Sequence, residues 1–493
     1  MSANRPDAAS NPDAVSAAPS EQISADICVI GAGSGGLSVA AAAAAFGQSV
    51  VLIEKHKMGG DCLNYGCVPS KALIAAGKRA HAMRTASGFG IADVNPEIDP
   101  AAVNDHVKSV IAAIEPNDSV ERFTGLGVRV ILAAGRFIDK STVAAGEYRI
   151  KARRFIVATG SSPFVPPIPG LDSVPYFTNE TIFDNRERLH HLIVIGGGPI
   201  GMEMSQAHRR LGSNVTVLEG SKALGRDDPE LSKVVLEQLT AEGIDLRQGT
   251  KVERVEGGLG RVLAHVDSGG QKYVVEGTHL LVAVGRKVNV SDLGLEAAGI
   301  RYDKRGIKVN KGLRTSNRRV YAIGDVAGQH QFTHVANYHA GIVIRRALFR
   351  LPAKVNPNII PWTTYTDPEL ANVGMSEEAA RKATGDKINV LRWPYMENDR
   401  AQAERETIGH VKVITDKSGV ILGATIVGAK AGELISMWSL AISQKLKIKA
   451  MTEWISPYPT LNEVNKRAAY RYYATTPSSP TLRKIIGFLA KFG

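Results

Sequence analysis

Asp26–Gly36 reads DICVIGAGSGG and continues as LSVAAAAAAFG, so a short apolar run meets a glycine cluster and then a helix-like segment. This is the pattern of strand, glycine turn and helix. Gly31, Gly33 and Gly36 fit G-x-G-x-x-G, where missing side chains allow a tight turn, close approach of backbone to a pyrophosphate, and close helix packing. The next strand-like run, SVVLIE, ends on Glu54, at roughly the 20-residue separation that sets a carboxylate against ribose hydroxyls. A surface glutamate after a strand is the competing reading, and the agreement of turn, helix and strand weighs against it. Cys28, inside the first strand, reads as a small core residue.

The same pattern returns at His191 as LIVI, GGGPIG, MEMSQAHRRLG and NVTVLE. Gly196, Gly198 and Gly201 form a second fingerprint, and Glu219 follows at the same offset. An internal repeat of this kind predicts an α/β chain with two Rossmann-like dinucleotide-binding folds, hence two dinucleotides, one donating electrons and one relaying them. A carboxylate at Glu219 would accept a bond from a free 2′-hydroxyl and repel a 2′-phosphate, which favours NADH. Lys222, three residues on, leaves NADPH open.

Between the repeats lies Gly59–Lys71, GGDCLNYGCVPSK, which holds Cys62 and Cys67, two of the chain's three cysteines. Thiols at this spacing ahead of a helix can switch between dithiol and disulfide. Gly66 and Pro69 permit the backbone distortion that a bridge requires. Pro69 suits a first helical turn, which would set Cys67 near the positive end of the helix and favour its thiolate. A pair of buried cysteines, or half a zinc site, is the alternative, but no second Cys/His pair at ligand spacing follows, so no metal site is expected. The stretch comes straight after Glu54, which would set it beside the first dinucleotide. That position selects a flavin, which takes a hydride and hands two electrons to a thiol pair.

With 493 residues, 44% apolar and 22% charged, the chain is of ordinary globular composition. The first 24 residues, rich in Ala, Ser, Pro and Asp, read as a disordered tail without an apolar signal core. Leu37–Phe46 is too short and alanine-rich to span a bilayer, so no integral membrane segment is expected. Three cysteines in a chain of this length point to a reducing compartment, the cytoplasm by default. The formal charge of +12 is scattered, with no nucleic-acid reader motif, and reads as a solvated surface that helps attract anionic cofactors.

Lys71 to about Pro116 has helical patterning, and VRVILAAG, STVAAG and EYRIKARRFIVATG read as strands, the last closing on Thr159 and Gly160. The proline-rich SSPFVPPIPG marks a boundary. The second fold ends in HLLVAVGR near Gly285 and Arg286, and YAIGDVAG carries Asp325 at a strand end. After Leu351-Pro352 an α+β pattern takes over. The closing LRKIIGFLAKFG is basic and amphipathic, read as a helix packed on its own protein in preference to a membrane-surface segment.

In GGDCLNYGCVPSK, both fingerprints, ATG, AVGR, YAIGDVAG and TYTDPELANVG, the chain resembles the flavoprotein disulfide reductases, the group of dihydrolipoamide dehydrogenase, glutathione reductase and mercuric reductase. The resemblance implies a parse into FAD-binding (25–170), NAD(P)-binding (171–287), central FAD-completing (288–355) and dimerisation (356–493) segments. It also implies a homodimer whose C-terminal domain completes the partner's active site. Cys67 would face the flavin and Cys62 would meet substrate. Lys71 would sit near the flavin and pair with Glu203, and Asp325 would bind the ribityl chain. Gly60, Thr159, Gly160 and Gly285 fall in its cofactor-binding motifs.

One position departs from the disulfide-reducing members, which carry His-Pro and a later Glu. Here Tyr458-Pro459 precedes Glu463. A phenol with pKa near 10 is a poor proton shuttle at pH 7. Mercuric reductases resemble this chain in using Tyr there, yet they also carry a C-terminal cysteine pair, and no cysteine follows Cys67 here. The expectation is NAD(P)H oxidation through the cysteine pair to a small-molecule or metal-ion acceptor. The alternatives are dihydrolipoamide dehydrogenase activity and a flavin-bearing redox sensor with negligible turnover.

Overall fold

A computed structural model describes residues 21–328 and 330–492. Two compact units emerge. Among the described residues, one takes the chain up to Gly60, Asn117–Ser161 and Val288–Lys354; the other takes Asp61–Pro116, Ser162–Lys287 and Val355 onward.

The first unit is built on a seven-stranded sheet. Glu21–Ile30 lies at its centre, parallel to Val50–Glu54 on one side and to Tyr148–Val157 on the other, with Ile30 opposite Ile53 and Val157. Val128–Leu132 extends one edge in parallel, and Thr142–Ala145 and Gly135–Phe137 extend the other as an antiparallel meander. The late strand Val320–Ala322 returns to pair parallel with Tyr148–Val157, so a remote segment completes the sheet. VVLIE is buried along its whole length, as a parallel strand covered on both faces must be. Cys28 is fully buried, and desolvation pushes its thiol far above the ordinary range, which makes it the core residue expected.

Glu21–Ser24, expected within the tail, are strand: Glu21 to Ser24 pair with Tyr148 to Lys151. Of these four only Ile23 is buried, so the segment looks polar in sequence while its backbone completes a sheet. The remainder of the expected tail lies outside the described residues.

The second unit holds a four-stranded, a three-stranded and a five-stranded sheet. Asp245–Gln248, Asn214–Glu219, His191–Ile195 and His279–Val282 form a parallel sheet, with Thr250–Gly277 as an antiparallel three-stranded layer. Pro361–Thr364, Glu369–Gly374, Ile421–Gly428, His410–Asp416 and Ile388–Pro394 form an antiparallel five-stranded sheet under the helix Ala431–Ser443, whose Trp438 is fully buried.

Residues 61–116, expected with the first fold, belong to this second unit. The helix Cys67–Arg84 packs on Pro199–Arg210, where a Cβ at Gly77 would lie 3.1 Å from the Ala207 carbonyl oxygen. Ala72 and Leu73 share one core with Met202, Met204 and Ala207. Periodicity reveals that a helix has a buried face but not which element covers it.

Candidate active site

The two glycine turns are superimposable in kind. Gly31 and Gly196 have φ of +105° and +112°, and a Cβ on either would lie 2.4 or 2.5 Å from the carbonyl oxygen of Ala158 or Ala283. A Cβ on Gly36 or Gly201 would fall 1.9 or 2.0 Å from the carbonyl oxygen of Gly31 or Gly196, so only glycine lets each helix start this close to its strand. At the middle positions the space is open: among the described residues nothing would lie within 4 Å of a Cβ at Gly198, and only Gly60 reaches that distance at Gly33.

Gly33 and Gly198 are the N-caps of Ser34–Ala45 and Pro199–Arg210, and neither helix start receives a side-chain cap. First-turn N–H groups facing an open, side-chain-free approach form a cradle for a pyrophosphate. The residues present therefore fit a dinucleotide at each turn.

Glu54 and Glu219 close the two second strands. Glu54 accepts the N–H of Ala32 at 2.7 Å and of His56 at 2.8 Å. Glu219 accepts the N–H of Gly197 and of Ser221, both at 2.7 Å. These bonds hold each carboxylate at its glycine turn, and the remaining lone pairs can accept from ribose hydroxyls.

Within the first unit, Thr159 and Gly160 are latched to Asn289. The Thr159 hydroxyl donates to the Asn289 carbonyl (2.8 Å), the Asn289 side chain donates to the Thr159 carbonyl (2.9 Å), and the Asn289 N–H donates to Gly160 (3.0 Å). Asp325 lies in the 3₁₀ turn Gly324–Ala327 directly after Val320–Ala322, and Ser161 donates its hydroxyl to it at 2.5 Å. Asn289 and Ser161 were not singled out from sequence; their partners are far along the chain, and only the neighbouring ATG and GDVA motifs pointed at the region.

The cysteine stretch begins against the first glycine turn. Gly59 forms a parallel bridge with Gly33 and donates its N–H to Ala32 at 3.0 Å. A Cβ on Gly60, at φ +59°, would lie 2.7 Å from the Gly33 Cα. From there the chain enters the short helix Gly60–Asn64, which carries Cys62, half-buried. Gly66 then caps the helix Cys67–Arg84, so exposed Cys67 is its first residue and Pro69 lies in its first turn. A Cβ on Gly66 would meet Asp61 Oδ2 at 2.9 Å.

Asp61 braces this turn. It pairs with Arg286 (3.1 Å) and accepts from the Asn179 amide (3.3 Å), which also donates to the Tyr65 carbonyl (3.2 Å). Arg286 thus ties the AVGR segment, next to Gly285, to the cysteine turn. One helical turn past Cys67, Lys71 Nζ meets Glu203 Oε2 at 2.7 Å, with side-chain exposures of 36% and 7%. Glu203 Oε1 accepts the Tyr365 N–H at 2.9 Å, and Lys71 Nζ lies 4.3 Å from the centre of the Tyr365 ring. Burial, foremost, raises the Tyr365 phenol above its ordinary range, with Cys67 among the nearby charges. Asp61, Asn179 and Tyr365 were missed from sequence as site residues, although Asp61 and Tyr365 stand inside quoted motifs.

Tyr458 stands 71% exposed on the C-terminal part of the second unit, and its hydroxyl donates to Asp399 Oδ2 at 2.9 Å. That bond holds the phenol above its ordinary range. Glu463 opens the helix Glu463–Tyr470 five residues later.

The pyridine nucleotide-disulphide oxidoreductase model matches residues 25–340, and the dimerisation-domain model of the same name matches 360–469. The chain belongs to this family. Its members use FAD and NAD(P)H, and the match to the dimerisation domain suggests the expected homodimer. A mercuric reductase of Bacillus cereus is 36% identical over 91% of this chain and 71% of its own length. A dihydrolipoyl dehydrogenase of Thermus scotoductus is 35% identical over 90% and 96%. The Cu(II) complex of RclA, an HOCl-induced flavoprotein disulfide reductase of Escherichia coli, superimposes with a TM-score of 0.81 at 26% identity, over 90% of this chain and 99% of that one. Among the described residues no helix is long and apolar enough to cross a membrane.

Proposed function

We propose that this family member oxidises NAD(P)H and delivers the electrons through Cys62 and Cys67 to a small acceptor, a soft metal ion such as Hg(II) or a small oxidant. The observation that carries the reading is the seating of Gly59 and Gly60 on the first glycine turn, from which the chain leads within a few residues to Cys62 and to Cys67 at a helix start. FAD, when bound, supplies hydride acceptance and two-electron transfer to the thiol pair. Gly31, Gly33, Gly36, Glu54, Gly60, Thr159, Gly160 and Asp325 would hold it. Gly196, Gly198, Gly201, Glu219 and Gly285 would hold the nicotinamide cofactor, with Glu219 favouring NADH.

The chain's own residues have distinct tasks in this reading. The start of an 18-residue helix favours the Cys67 thiolate, and Lys71 adds positive charge one turn away. Glu203 and Tyr365 fix the lysine. Asp61, held by Arg286 and Asn179, keeps the Cys62 turn in register. Two electrons open the disulfide to two thiolates, any thiolate that takes up a solvent proton returning it on reoxidation, and the acceptor takes the same two electrons through Cys62 as the disulfide re-forms.

Tyr458 supports an acceptor that needs no proton shuttle, because its phenol, bonded to Asp399, stays protonated well above neutral pH. The presence of Pro459 and Glu463 beside it, as in the disulfide-reducing members, favours dihydrolipoamide dehydrogenase activity as the second reading. A steady-state panel of Hg(II), small oxidants, quinones and lipoamide with NADH and NADPH separates the two. Cys62 and Cys67 should also become alkylatable only after anaerobic NADH. Efficient lipoamide turnover unaffected by Tyr458→Phe would favour the second reading, and acceptor reduction that survives Cys67→Ser would sink the relay.

A further inference from the structure

The helix Pro480–Leu489 lies beyond the part matched by the dimerisation-domain model, which ends at residue 469. It is built to stand alone: Ser479 accepts the Leu482 N–H as N-cap, Pro480 fills the first position, and the Ile486 carbonyl accepts the Ala490 N–H at its other end. None of its residues is buried. At 3.6 residues per turn, Leu482, Ile485, Ile486 and Leu489 fall on one face, with Phe488 and Phe492 on its flank in edge-to-face contact at 5.1 Å. Ile486 is 63% and Phe492 73% exposed. Arg483 and Lys484 lie off that face, Lys491 follows the helix end, and from Val464 to Phe492 the chain contains no Asp or Glu.

An apolar face of this size, accompanied by cations and no acids, suits an apolar interior under an anionic headgroup layer. We infer that this helix is an interfacial anchor that lies in the surface of an anionic lipid bilayer, with Leu482, Ile485, Ile486 and Leu489 directed into it. The sequence reading of a helix packed on its own protein gives way to this one because its apolar side chains are exposed.

The test is flotation of the full-length flavoprotein with vesicles of phosphatidylcholine alone and of an equimolar phosphatidylcholine–phosphatidylglycerol mixture. Binding is expected to the anionic vesicles, weakening as salt screens the charges. Lys484→Gln and Lys491→Gln should each weaken it about fivefold. Ile486→Glu should abolish it while flavin content and NADH oxidation stay unchanged. Failure of the unaltered protein to float with anionic vesicles, or equal flotation of Ile486→Glu, overturns the proposal. So does a fall in solution mass of Ile486→Glu without lipid, which would assign the face to a second copy of the chain.

Discussion

Lys71 and Glu203 meet across a steep difference in exposure, and this asymmetry decides how each variant behaves. Removing the lysine leaves a carboxylate at 7% exposure with the Tyr365 N–H as its remaining hydrogen bond among those described, whereas neutralising the glutamate leaves a solvated ammonium. Lys71→Met is expected to cost about 1–3 kcal/mol, seen as a fall in apparent melting temperature, and Glu203→Gln distinctly less. Both should slow NADH oxidation, because both release the charge held one turn from Cys67. At Tyr458 the argument concerns protons. Its folded pKa is raised by the bond to Asp399, so that bond is fully present below the unfolded value of about 10 and is lost only as pH rises through the folded one. Acceptor turnover between pH 6 and 9 should therefore show no titration from this group, and Tyr458→Phe should change it little. Tyr458→His installs an imidazole with pKa of about 6.5 and is expected to raise lipoamide turnover by tenfold or more, with an optimum near that pH. A pH–rate profile of the two variants checks both statements.

At the scale of elements, the glycine turns make a paired prediction. Gly36→Ala drives a methyl to 1.9 Å from a backbone oxygen in the first fold, and Gly201→Ala does the same at 2.0 Å in the second. Backbone atoms cannot step aside as a flexible side chain can, so each helix start must move away from its strand. The first variant should be purified with little flavin. The second should retain flavin while its KM for NADH rises steeply, as absorbance ratios and initial rates would record. These turns were legible in the sequence because every determinant is local: glycine spacing, an apolar strand before, a helix after, an acid at the next strand end. The Cys67 helix start was legible for the same reason, through Gly66 and Pro69. The braces of the site were not. Asp61 meets Arg286 and Asn179, and Thr159 meets Asn289, across more than a hundred residues that carry no periodic signal of the pairing. Glu203 was assigned to Lys71 only through the family resemblance, since nothing in the helix Pro199–Arg210 itself distinguishes a buried glutamate from a solvated one. Glu21–Ser24 show the converse failure, where polar side chains conceal a backbone that completes a sheet.

Across the second unit, one buried cation joins the nucleotide-fold helix Pro229–Ala241 to the five-stranded sheet. Lys412, 4% exposed on the strand His410–Asp416, reaches Asp228 at 2.8 Å, Glu230 at 2.9 Å and Glu377 at 2.8 Å. Burial alone would lower the lysine's pKa, and the three carboxylates outweigh it and raise it. Asp228 is also the N-cap of that helix, accepting the Glu230 N–H, so the cluster sets the helix start and the contact together. The hydrogen bonds from Arg392, and after them Lys412, depress Glu230 to about 2. A depressed carboxyl contributes stability that is complete above its unfolded value of about 4.5 and is lost as pH falls through the folded one. Unfolding of the protein should therefore become markedly easier between about pH 4.5 and 2, with the urea midpoint falling across that window. Lys412→Met removes the cation and leaves Asp228 buried without it, a change expected to cost about 3–5 kcal/mol at neutral pH. Because Arg392 still holds Glu230, the variant should retain part of the acid dependence while starting from a lower midpoint. A variant as stable as the natural chain at pH 7 would mean that the carboxylates are solvated and that the sheet and helix are held by their apolar contacts alone.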